Sequence, residues 1–524
     1  MRNLVVCCDG TWNTPDQEEH GVPVPTNVVR LYNALAEKDN AGNEQVRYYH
    51  TGVGTEGNWW QKMAGGIAGV GLKKNVMSAY RWLAGTYQLG DQIFLFGFSR
   101  GAYTVRSVAG MISACGLLDL SSGVTDDELW KRVEAAYDQG YRADPTRKKP
   151  RSTWAKEWRF FKTEHRRYTE TGDSDDVGVY FLGVWDTVGA LGIPDDMAIL
   201  NLLDNRKDYL FHDANLNEAI QHACHAVSID EMRASFAPTL WANARQRSSA
   251  KEVWFPGVHC DIGGGYLEKG LSDGALKWMI DEARTHGLAF EQPIYDQVDP
   301  NHLDVLHDSR TGIFKLLRTQ PRGIPLLSPV PNAPVHRSAL DRQAYPPIAQ
   351  TPYRKTILLD PNTSSKEIPI YAINPWNETG IFLEPGATYQ FVAKGQWVDG
   401  HIACGPAGTR DGVFEPGELV QMGASLLGKL EKIYKKITGN TEADLRGTKR
   451  IEDAPWFALM GVVANGGFSL PDGSFAPHEQ IVIGEGIRDY SPKRPGYLWC
   501  FANDAWHFYN NNHGSVTLTV TRTK

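Results

Sequence analysis

The sequence predicts an α/β fold followed by an all-β domain, and three observations support this prediction. Short apolar strands alternate with helices through roughly the first 360 residues, which is typical of a parallel sheet covered on both faces. Proline density then rises between Pro321 and Pro369. Beyond this segment the chain is aromatic-rich and glycine-punctuated, with short β-like runs. We therefore expect a mostly parallel sheet with a helical cap, plus a C-terminal all-β sandwich.

The elements of the predicted sheet follow one another in chain order. Strands are expected at 3–8, 46–49, 92–96, 177–184 and 251–256, and helices at 73–87, 102–115 and 273–286. Residues 118–176 are charged and aromatic, and we interpret them as an inserted helical cap. The predicted domains are an α/β domain at 1–345, a proline-rich linker at 346–367, and a β-sandwich at 368–524 with a helical insertion at about 411–453.

Composition limits the function classes. A chain of 524 residues has room for about two to four domains. A net charge of −7 and a pI near 6.1 argue against a nucleic-acid-binding protein. No apolar run reaches the roughly 18 residues that span a bilayer, and the apolar start of the chain is too short for a signal peptide. We expect synthesis in the cytoplasm without a signal peptide, which leaves export by a signal-independent machine open.

The strongest motif is Gly-Phe-Ser-Arg-Gly-Ala at 97–102, which closes a predicted strand and opens a predicted helix. Gly-x-Ser-x-Gly in this context is the nucleophile elbow of α/β-hydrolases. The two glycines leave room for the tight turn and for the helix to pack on the sheet. The motif predicts Ser99 as a nucleophile and an α/β-hydrolase-like sheet around it.

The acid and the histidine of a catalytic triad should follow the serine in that chain order, each on a loop after a strand. Asp186 directly follows the strand at 177–184, and His259 follows the strand at 251–256. Histidine would accept the serine proton, and the acid would orient the imidazole. Asp261, on the same loop as His259, is the main alternative to Asp186.

An oxyanion hole needs two backbone N–H groups that point at the developing negative charge. Arg100, the residue after the serine, supplies one of them in this prediction. Gly10 or Thr11, after the first strand, would supply the other, although the Asp-Gly-Thr sequence at 9–11 also suits a simple strand-ending turn.

Two histidines in a predicted helix, His222 and His225, have a spacing that suits either a metal pair or support of the active-site wall. The second interpretation is the one we favour.

Six segments in chain order resemble the α/β-hydrolase domain of bacterial type VI secretion lipase effectors of the first class, otherwise a domain of unknown function. They lie at 9–13, 52–55, 97–102, 183–188, 225–231 and 254–266. The resemblance implies Ser99, Asp186 and His259 as the triad and phospholipase A or related carboxylic ester hydrolysis, with no cofactor for catalysis. It also implies a lipid or ester substrate, a cognate immunity protein, and delivery by a type VI-like secretion machinery to a target cell envelope.

The C-terminal half carries a dense set of oxygen donors, at 503–504 and 510–515. A carboxylate at Asp504 with amides at Asn511 and Asn512 suits Ca²⁺, and a polar β-turn is the alternative. Segments at 389–397, 405–408, 458–461 and 497–515 resemble the galactophilic calcium lectin of the lectin A type. This resemblance implies that Asp504, Asn511 and Asn512 bind a calcium ion that bridges to a glycan.

The chain departs from the lectin pattern between Gly408 and Pro455, where the lectin supplies sugar-contacting residues. Apolar residues at 419, 422, 426, 430, 433 and 437 of this insertion form a helical stripe flanked by lysines. Such a helix either packs on a neighbouring domain or makes a peripheral contact with an anionic membrane.

These observations together predict a carboxylic ester hydrolase acting on lipid, with a second domain that targets a surface or glycan. An esterase acting on acylated carbohydrate is the alternative enzyme. A carbohydrate-binding protein with an inactive hydrolase domain is the alternative of another class.

Overall fold

The computed structural model describes residues 1–10, 17–52, 67–120, 123–142, 155, 158–161, 177–189, 215–330, 333–361, 365–409, 449–471, 474, 476–506 and 508–524. Its α-helices are α1 (Asn27–Ala34), α2 (Ile67–Thr86), α3 (Arg100–Cys115), α4 (Asp126–Ala135), α5 (His259–Gly263), α6 (Gly270–Thr285), α7 (Gln292–Tyr295) and α8 (Arg337–Ala344).

The strands of the first part of the chain are β1 (Asn3–Cys8), β2 (Glu18–Glu19), β3 (Val22–Pro23), β4 (Gln45–His50), β5 (Gln92–Phe98), β6 (Leu117–Leu118), β7 (Phe160–Phe161), β8 (Val179–Trp185), β9 (Ile220–Ser228) and β10 (Ala250–Phe255). The strands of the second part are β11 (Ser365–Tyr371), β12 (Asn377–Leu383), β13 (Tyr389–Asp399), β14 (Ile402–Cys404), β15 (Leu459–Val463), β16 (Glu479–Val482), β17 (Gly486–Tyr490), β18 (Gly496–Ala502) and β19 (Asn512–Arg522).

The first part is built on a six-stranded sheet in the order β10-β9-β8-β5-β1-β4, and every pairing in it is parallel. Strand β1 shows why its sequence is uniformly apolar. Leu4 and Val6 belong to a cluster with α2 and α3 on one face, whereas Val5 and Cys7 belong to a cluster with α1 and α6 on the other. Because both faces are covered by helices, no strand of this kind alternates polar with apolar residues. The prediction of a mostly parallel α/β sheet is confirmed.

Strand β9 corrects the sequence analysis, which placed His222 and His225 in a helix. The segment pairs in parallel with β8 on one side and β10 on the other. Its alanines favour a helix, but burial between two strands decides the outcome. Residues three apart on a strand point to opposite faces, so the two imidazoles do not form a pair.

The predicted helical cap at 118–176 is described in part. Strands β6 and β7 pair with each other, and α4 continues into a π-helical turn at Ala136–Tyr141. The basic run at 147–151 lies outside the described residues.

The second part consists of two antiparallel sheets. One has the order β11-β19-β13-β14, with β17 also paired to β13, and the other has the order β12-β18-β15-β16. Phe391 and Leu518 of the first sheet share one apolar cluster with Leu383 and Leu498 of the second. Alternate residues of β13 are buried, as expected for a strand with one face on a core.

The predicted linker ends in a strand, and the predicted insertion is described only at its end. Strand β11 begins at Ser365, inside the segment predicted as linker at 346–367. Residues 449–453 of the predicted insertion are described, whereas its amphipathic stripe at 419–437 lies outside the described residues.

The two parts of the chain share an apolar cluster. Trp254 lies in β10, Ile324 in the segment that follows the parallel sheet, and Phe382 and Trp499 in the antiparallel sheets. The antiparallel sheets therefore pack directly against the segment that joins the two parts.

Among the helices in the described ranges, none combines the length and the apolar character needed to cross a lipid bilayer.

Candidate active site

Ser99 lies in the turn between β5 and α3, with φ 57° and ψ −121°. A serine in this region of backbone space is strained, and the strain is the hallmark of a nucleophile elbow. Its backbone N–H donates to the carbonyl of Trp185 at 3.1 Å, at the end of β8. The turn is thereby held at the carboxyl edge of the parallel sheet.

The two glycines of the motif are required by close backbone contacts. A Cβ on Gly97 would lie 2.5 Å from the carbonyl oxygen of Gly101. A Cβ on Gly101 would lie 2.1 Å from the carbonyl oxygen of Cys8, at the end of β1. Any side chain at either position would push α3 away from the sheet.

Asp186 and His259 are brought together at the same edge. Asp186 follows β8, and His259 is the first residue of α5, shortly after β10. The Nδ1 atom of His259 lies 2.7 Å from Oδ2 of Asp186, and both side chains are buried. In the sheet register Phe98, the residue before Ser99, pairs with Trp185, the residue before Asp186.

The Asp186 carboxylate is wholly buried and well supplied with donors. Its Oδ1 accepts from the Ser228 backbone N–H at 2.9 Å and from Nη1 of Arg322 at 2.9 Å. Burial by itself would raise the pKa of Asp186, but the Arg322 charge and the His259 hydrogen bond outweigh it and hold the pKa well below its usual range. Asp186 is therefore ionised at neutral pH.

The imidazole of His259 is neutral at neutral pH. Burial lowers its pKa, although the hydrogen bond and charge of Asp186 oppose that effect. Its ring lies 4.5 Å from the Phe98 ring and 5.1 Å from the Phe236 ring, between centroids. With Nδ1 donating to Asp186, Nε2 is the ring nitrogen that accepts a proton, as a general base requires.

Asp261, the alternative acid, binds elsewhere. Its Oδ2 accepts from the Val258 backbone N–H at 3.0 Å, and its Oδ1 lies 2.6 Å from Nδ1 of His307. The structure thus places Asp186, rather than Asp261, on His259.

The predicted oxyanion-hole residues are described in part. Arg100 is the first residue of α3, where backbone N–H groups point out of the helix end. The Gly10 N–H donates to Oδ1 of Asp9 at 2.7 Å, so it is satisfied within its own turn here. Thr11 lies outside the described residues.

His225 supports the loop that carries Asp186. Its Nε2 accepts from the backbone N–H of Thr187 at 3.1 Å, and its Nδ1 lies 3.3 Å from the Glu252 carboxylate. His222 instead stacks on His286 at 3.8 Å between ring centroids. Within the described ranges, no group of three or more His, Cys, Asp and Glu side chains could hold a metal ion.

Two of the predicted calcium residues, Asp504 and Asn512, are in contact, and Asn511 binds a different carboxylate. Nδ2 of Asn512 donates to Oδ2 of Asp504 at 2.9 Å, and Nδ2 of Asn511 donates to Oδ1 of Asp399 at 2.7 Å. Burial, with a further contribution from the Asp399 carboxylate, raises the pKa of Asp504 to about 6. The Oδ1 atom of Asn512 is buried and accepts no hydrogen bond from any residue that the structure describes.

Sequence reasoning missed three side chains at these sites. Ser228 lies inside one of the resembling segments, directly after the buried Val227, and its position at the end of β9 was the available signal. Arg322 and Asp399 carry no local signal, because each reaches its partner from a distant part of the chain.

A strained serine at a strand-to-helix turn and an Asp–His pair at the same sheet edge are consistent with the α/β hydrolase class of enzymes. Residues 2–282 match the family model described as "T6SS, Phospholipase effector Tle1-like, catalytic domain". The match covers more than half of the 524 residues, and the chain belongs to this family of type VI secretion phospholipase effectors.

A relative at the sequence level is the uncharacterized protein YEL023C of Saccharomyces cerevisiae. It is 32% identical to this chain over 249 residues, which are 45% of this chain and 32% of the yeast protein. The chain thus spans about a third of that relative's length.

Three solved structures are similar in part. An uncharacterized protein from Pseudomonas aeruginosa has a TM-score of 0.33 and 18% identity, over 57% of this chain and 49% of that one. A Tle1 effector bound to the VgrG spike of a type VI secretion system has a TM-score of 0.30 and 16% identity, over 51% of each chain. The EclA N-terminal domain, a PllA-like lectin, has a TM-score of 0.17 and 18% identity, over 30% of this chain and 94% of that one. TM-scores in this range do not establish a shared fold.

Replacement of Gly101 by alanine should destabilise the protein, because the new Cβ would overlap the Cys8 carbonyl. We expect Gly101→Ala to lower the free energy of unfolding by about 1–3 kcal/mol. Gly274→Ala in α6 is the matched control: its Cβ meets nothing within 4 Å, and alanine should stabilise the helix by about 0.5–1 kcal/mol. Urea unfolding measures both variants. Equal stability of the two would contradict the packing account.

The reactivity of Ser99 toward a fluorophosphonate should depend on pH through His259. Because burial lowers the pKa of that imidazole, the labelling rate should rise with pH to a plateau, with a midpoint below the ordinary histidine value of about 6.5.

Asp186→Asn should lower that plateau by about 10³–10⁴-fold, since the imidazole loses the partner that fixes its tautomer. Asp261→Asn, which removes a carboxylate bound to His307 instead, should lower it by less than about tenfold. A larger loss in Asp261→Asn than in Asp186→Asn would reverse the assignment of the acid.

Proposed function

We propose that this chain is a serine hydrolase of carboxylic esters that acts on phospholipids as a phospholipase A. One observation carries the proposal: the 2.7 Å contact between Asp186 and His259, at the sheet edge where Ser99 occupies its strained turn. Membership in a phospholipase effector family supports the choice of substrate.

The proposed reaction uses groups of this chain alone. His259 Nε2 accepts the Ser99 hydroxyl proton as Oγ attacks the acyl carbonyl carbon, and Asp186 stabilises the imidazolium that forms. The tetrahedral intermediate breaks its ester bond, and the leaving alcohol takes the proton from His259. Water then attacks the acyl-enzyme with the same base, and a free fatty acid leaves.

The developing oxyanion would be bound by backbone N–H groups beside the elbow. Arg100 N–H is the first, since it opens α3 directly after the nucleophile. Gly10 N–H is the second candidate, and it would have to exchange the Asp9 carboxylate for the substrate oxygen. Both groups lie close to Ser99 in the fold because Gly101 contacts the end of β1.

We place the substrate in the envelope of a target cell, reached through a type VI secretion machine, in keeping with the family. The esterase on acylated carbohydrate remains the alternative enzyme, because the Asp–His pair and the elbow would serve any acyl ester. The two are separated by substrate range.

Wild-type protein should release fatty acid from phospholipid vesicles, and Ser99→Ala should abolish this release to background, at least about 10³-fold lower. Ser107→Ala, which removes a buried hydroxyl from the same helix, is the matched control and should keep the wild-type rate. Free fatty acid is measured by mass spectrometry for phospholipids, triglycerides, short p-nitrophenyl esters and acetylated sugars.

Preference for acetylated sugars over phospholipids would replace the phospholipase with the carbohydrate esterase. Absence of any fluorophosphonate adduct on Ser99 in the folded protein would favour the inactive carbohydrate-binding protein.

We also propose a Ca²⁺ site in the C-terminal part, held by Asp504, Asn511 and Asn512. The observation that favours it is the buried Asn512 Oδ1, which accepts no hydrogen bond from the residues that the structure describes, in the amide whose nitrogen donates to Asp504. The amide N–H groups of Asn511 and Asn512 now point at carboxylates. Rotation of each amide would turn its oxygen toward the carboxylate that it now faces, Asp399 for Asn511 and Asp504 for Asn512, giving the oxygen donors that Ca²⁺ prefers.

Calcium, when bound there, would neutralise Asp504 and offer coordination positions to the hydroxyls of a glycan. Hydrolysis takes place on Ser99 in the other part of the chain. The ion therefore has no part in the proposed catalytic steps.

Addition of CaCl₂ should raise the melting temperature of the wild-type protein, and chelation with EGTA should reverse the shift, because the ion binds the folded state. Asp504→Asn should abolish the shift, whereas Asp489→Asn, at an exposed position of β17, should keep it. Calorimetric titration with CaCl₂ checks the binding directly. A shift that survives in Asp504→Asn, or EGTA inhibition of hydrolysis of a small soluble ester, would contradict this assignment.

A further inference from the structure

Arg322 lies outside the 2–282 segment that matches the family, yet its side chain is buried at the candidate active site. Its Nη1 donates to Oδ1 of Asp186 at 2.9 Å and to Oγ of Ser228 at 2.7 Å. Its Nη2 donates to the carbonyl of Phe236 at 2.6 Å, and its Nε to the carbonyl of Glu231 at 3.2 Å. Every nitrogen of the guanidinium is thus directed at an oxygen of the site wall.

These contacts hold the Asp186 carboxylate in position and stabilise its ionised form. Asp186 is 0% exposed, and an isolated carboxylate in such a place would become protonated. His259 binds its Oδ2, Arg322 and the Ser228 backbone N–H bind its Oδ1, and the Ser228 hydroxyl lies 3.1 Å from both oxygens. The arginine therefore leaves one oxygen aimed at the imidazole and supplies the positive charge that offsets burial.

Arg322 is in turn held by the antiparallel sheets. Its neighbours in the chain form what we call the crossover segment, residues 319–327. Nε1 of Trp376 donates to the carbonyl of Thr319 at 3.1 Å, and Nε2 of His478 lies 2.7 Å from the carbonyl oxygen of Pro321.

The backbone of the crossover segment also packs closely against the C-terminal part. A Cβ on Gly323 would stand 2.3 Å from the carbonyl oxygen of Asn465, and the backbone N–H of Leu327 donates to the hydroxyl of Tyr497 at 3.0 Å. The backbone on both sides of Arg322 is therefore anchored to residues of the antiparallel sheets.

We propose that Arg322 is a positioning residue for Asp186, held in place by the antiparallel sheets, so that turnover in the parallel-sheet part depends on contacts made by the C-terminal part. This inference rests on the proposed ester hydrolysis at Ser99. It adds to that proposal a residue and a dependence that the catalytic triad does not include.

Removal of the Arg322 charge should shift the acid side of the pH–rate profile. Without it Asp186 accepts a proton more readily, and while ionised it holds the His259 proton more tightly. Both effects require a higher pH for the neutral imidazole and the ionised acid to coexist. In the described part of the chain, the charged and titratable groups that face this pair are Arg322, Arg233, Glu231, His225 and Cys260.

The test compares Arg322→Met and Arg322→Lys in the full chain, with kcat and KM on a soluble p-nitrophenyl ester from pH 4 to 9. Arg322→Met should lower kcat about 10–100-fold with KM within about twofold, and move the acid midpoint of kcat/KM up by about one pH unit. Arg322→Lys keeps the charge, so its midpoint should stay within about 0.3 units while kcat falls less than about tenfold.

Arg30→Met is the matched control, because it breaks another buried Arg–Asp pair, with Asp273. It should lower the melting temperature without moving the acid midpoint. Fluorophosphonate titration corrects every rate for the fraction of folded enzyme. An unchanged midpoint in Arg322→Met, or the same shift in Arg30→Met, would reduce Arg322 to a structural role.

The dependence on the C-terminal part is tested by Trp376→Phe, which keeps an aromatic ring and deletes the hydrogen bond to Thr319. It should lower kcat about threefold in the wild-type background and have no effect on kcat in Arg322→Met, because the two residues act on the same carboxylate. Equal effects in both backgrounds would overturn the coupling. A wild-type protein that hydrolyses no ester would overturn the proposed function instead.

Discussion

The candidate active site depends on keeping one fully buried carboxylate ionised. Asp186 is fully buried, and its backbone has a positive φ of 33°, so both its charge and its conformation need support from neighbours. That support comes from three separate pieces of chain. Strand β9 contributes the Ser228 N–H and the Ala226 carbonyl, which accepts the Asp186 N–H at 2.7 Å, the start of α5 contributes His259, and the crossover segment contributes Arg322. Removing one partner of such a group leaves the others facing an uncompensated charge.

The serine is positioned by a different constraint, which is steric. Gly97 and Gly101 allow the start of α3 to touch the ends of β5 and β1, and the strained Ser99 is the residue left between them. Electrostatics orient Asp186 and His259, whereas backbone contact places Ser99. The parallel register puts Ser99 and Asp186 at the ends of neighbouring strands, since Phe98 and Trp185 are partners.

The sequence predicted those parts of the fold and site that local patterns determine. Strand β1 was predicted with its observed bounds because both faces of a central parallel strand are apolar. The predictions of Asp186 and His259 relied on chain order and strand ends, and the structure brings these two side chains together. Strand β9 was predicted as a helix, because its alanines favour one locally and only its two partner strands decide otherwise. Arg322 was not predicted at all. It follows Pro321 in a loop-rich segment, and the local sequence there does not indicate which distant carboxylate the arginine contacts.

The burial of Arg322 requires the crossover segment to keep a fixed position. An arginine exposed to water would be screened, and its effect on a carboxylate would be small. The Arg322 side chain here is only 3% exposed, and the crossover segment that carries it packs on Asn465 and His478. The contacts that join the two parts of the chain thus hold the backbone on both sides of the residue that binds Asp186. Because shielding strengthens the pair and the pair keeps Asp186 ionised, the packing of the antiparallel sheets and the protonation state of the site are physically linked.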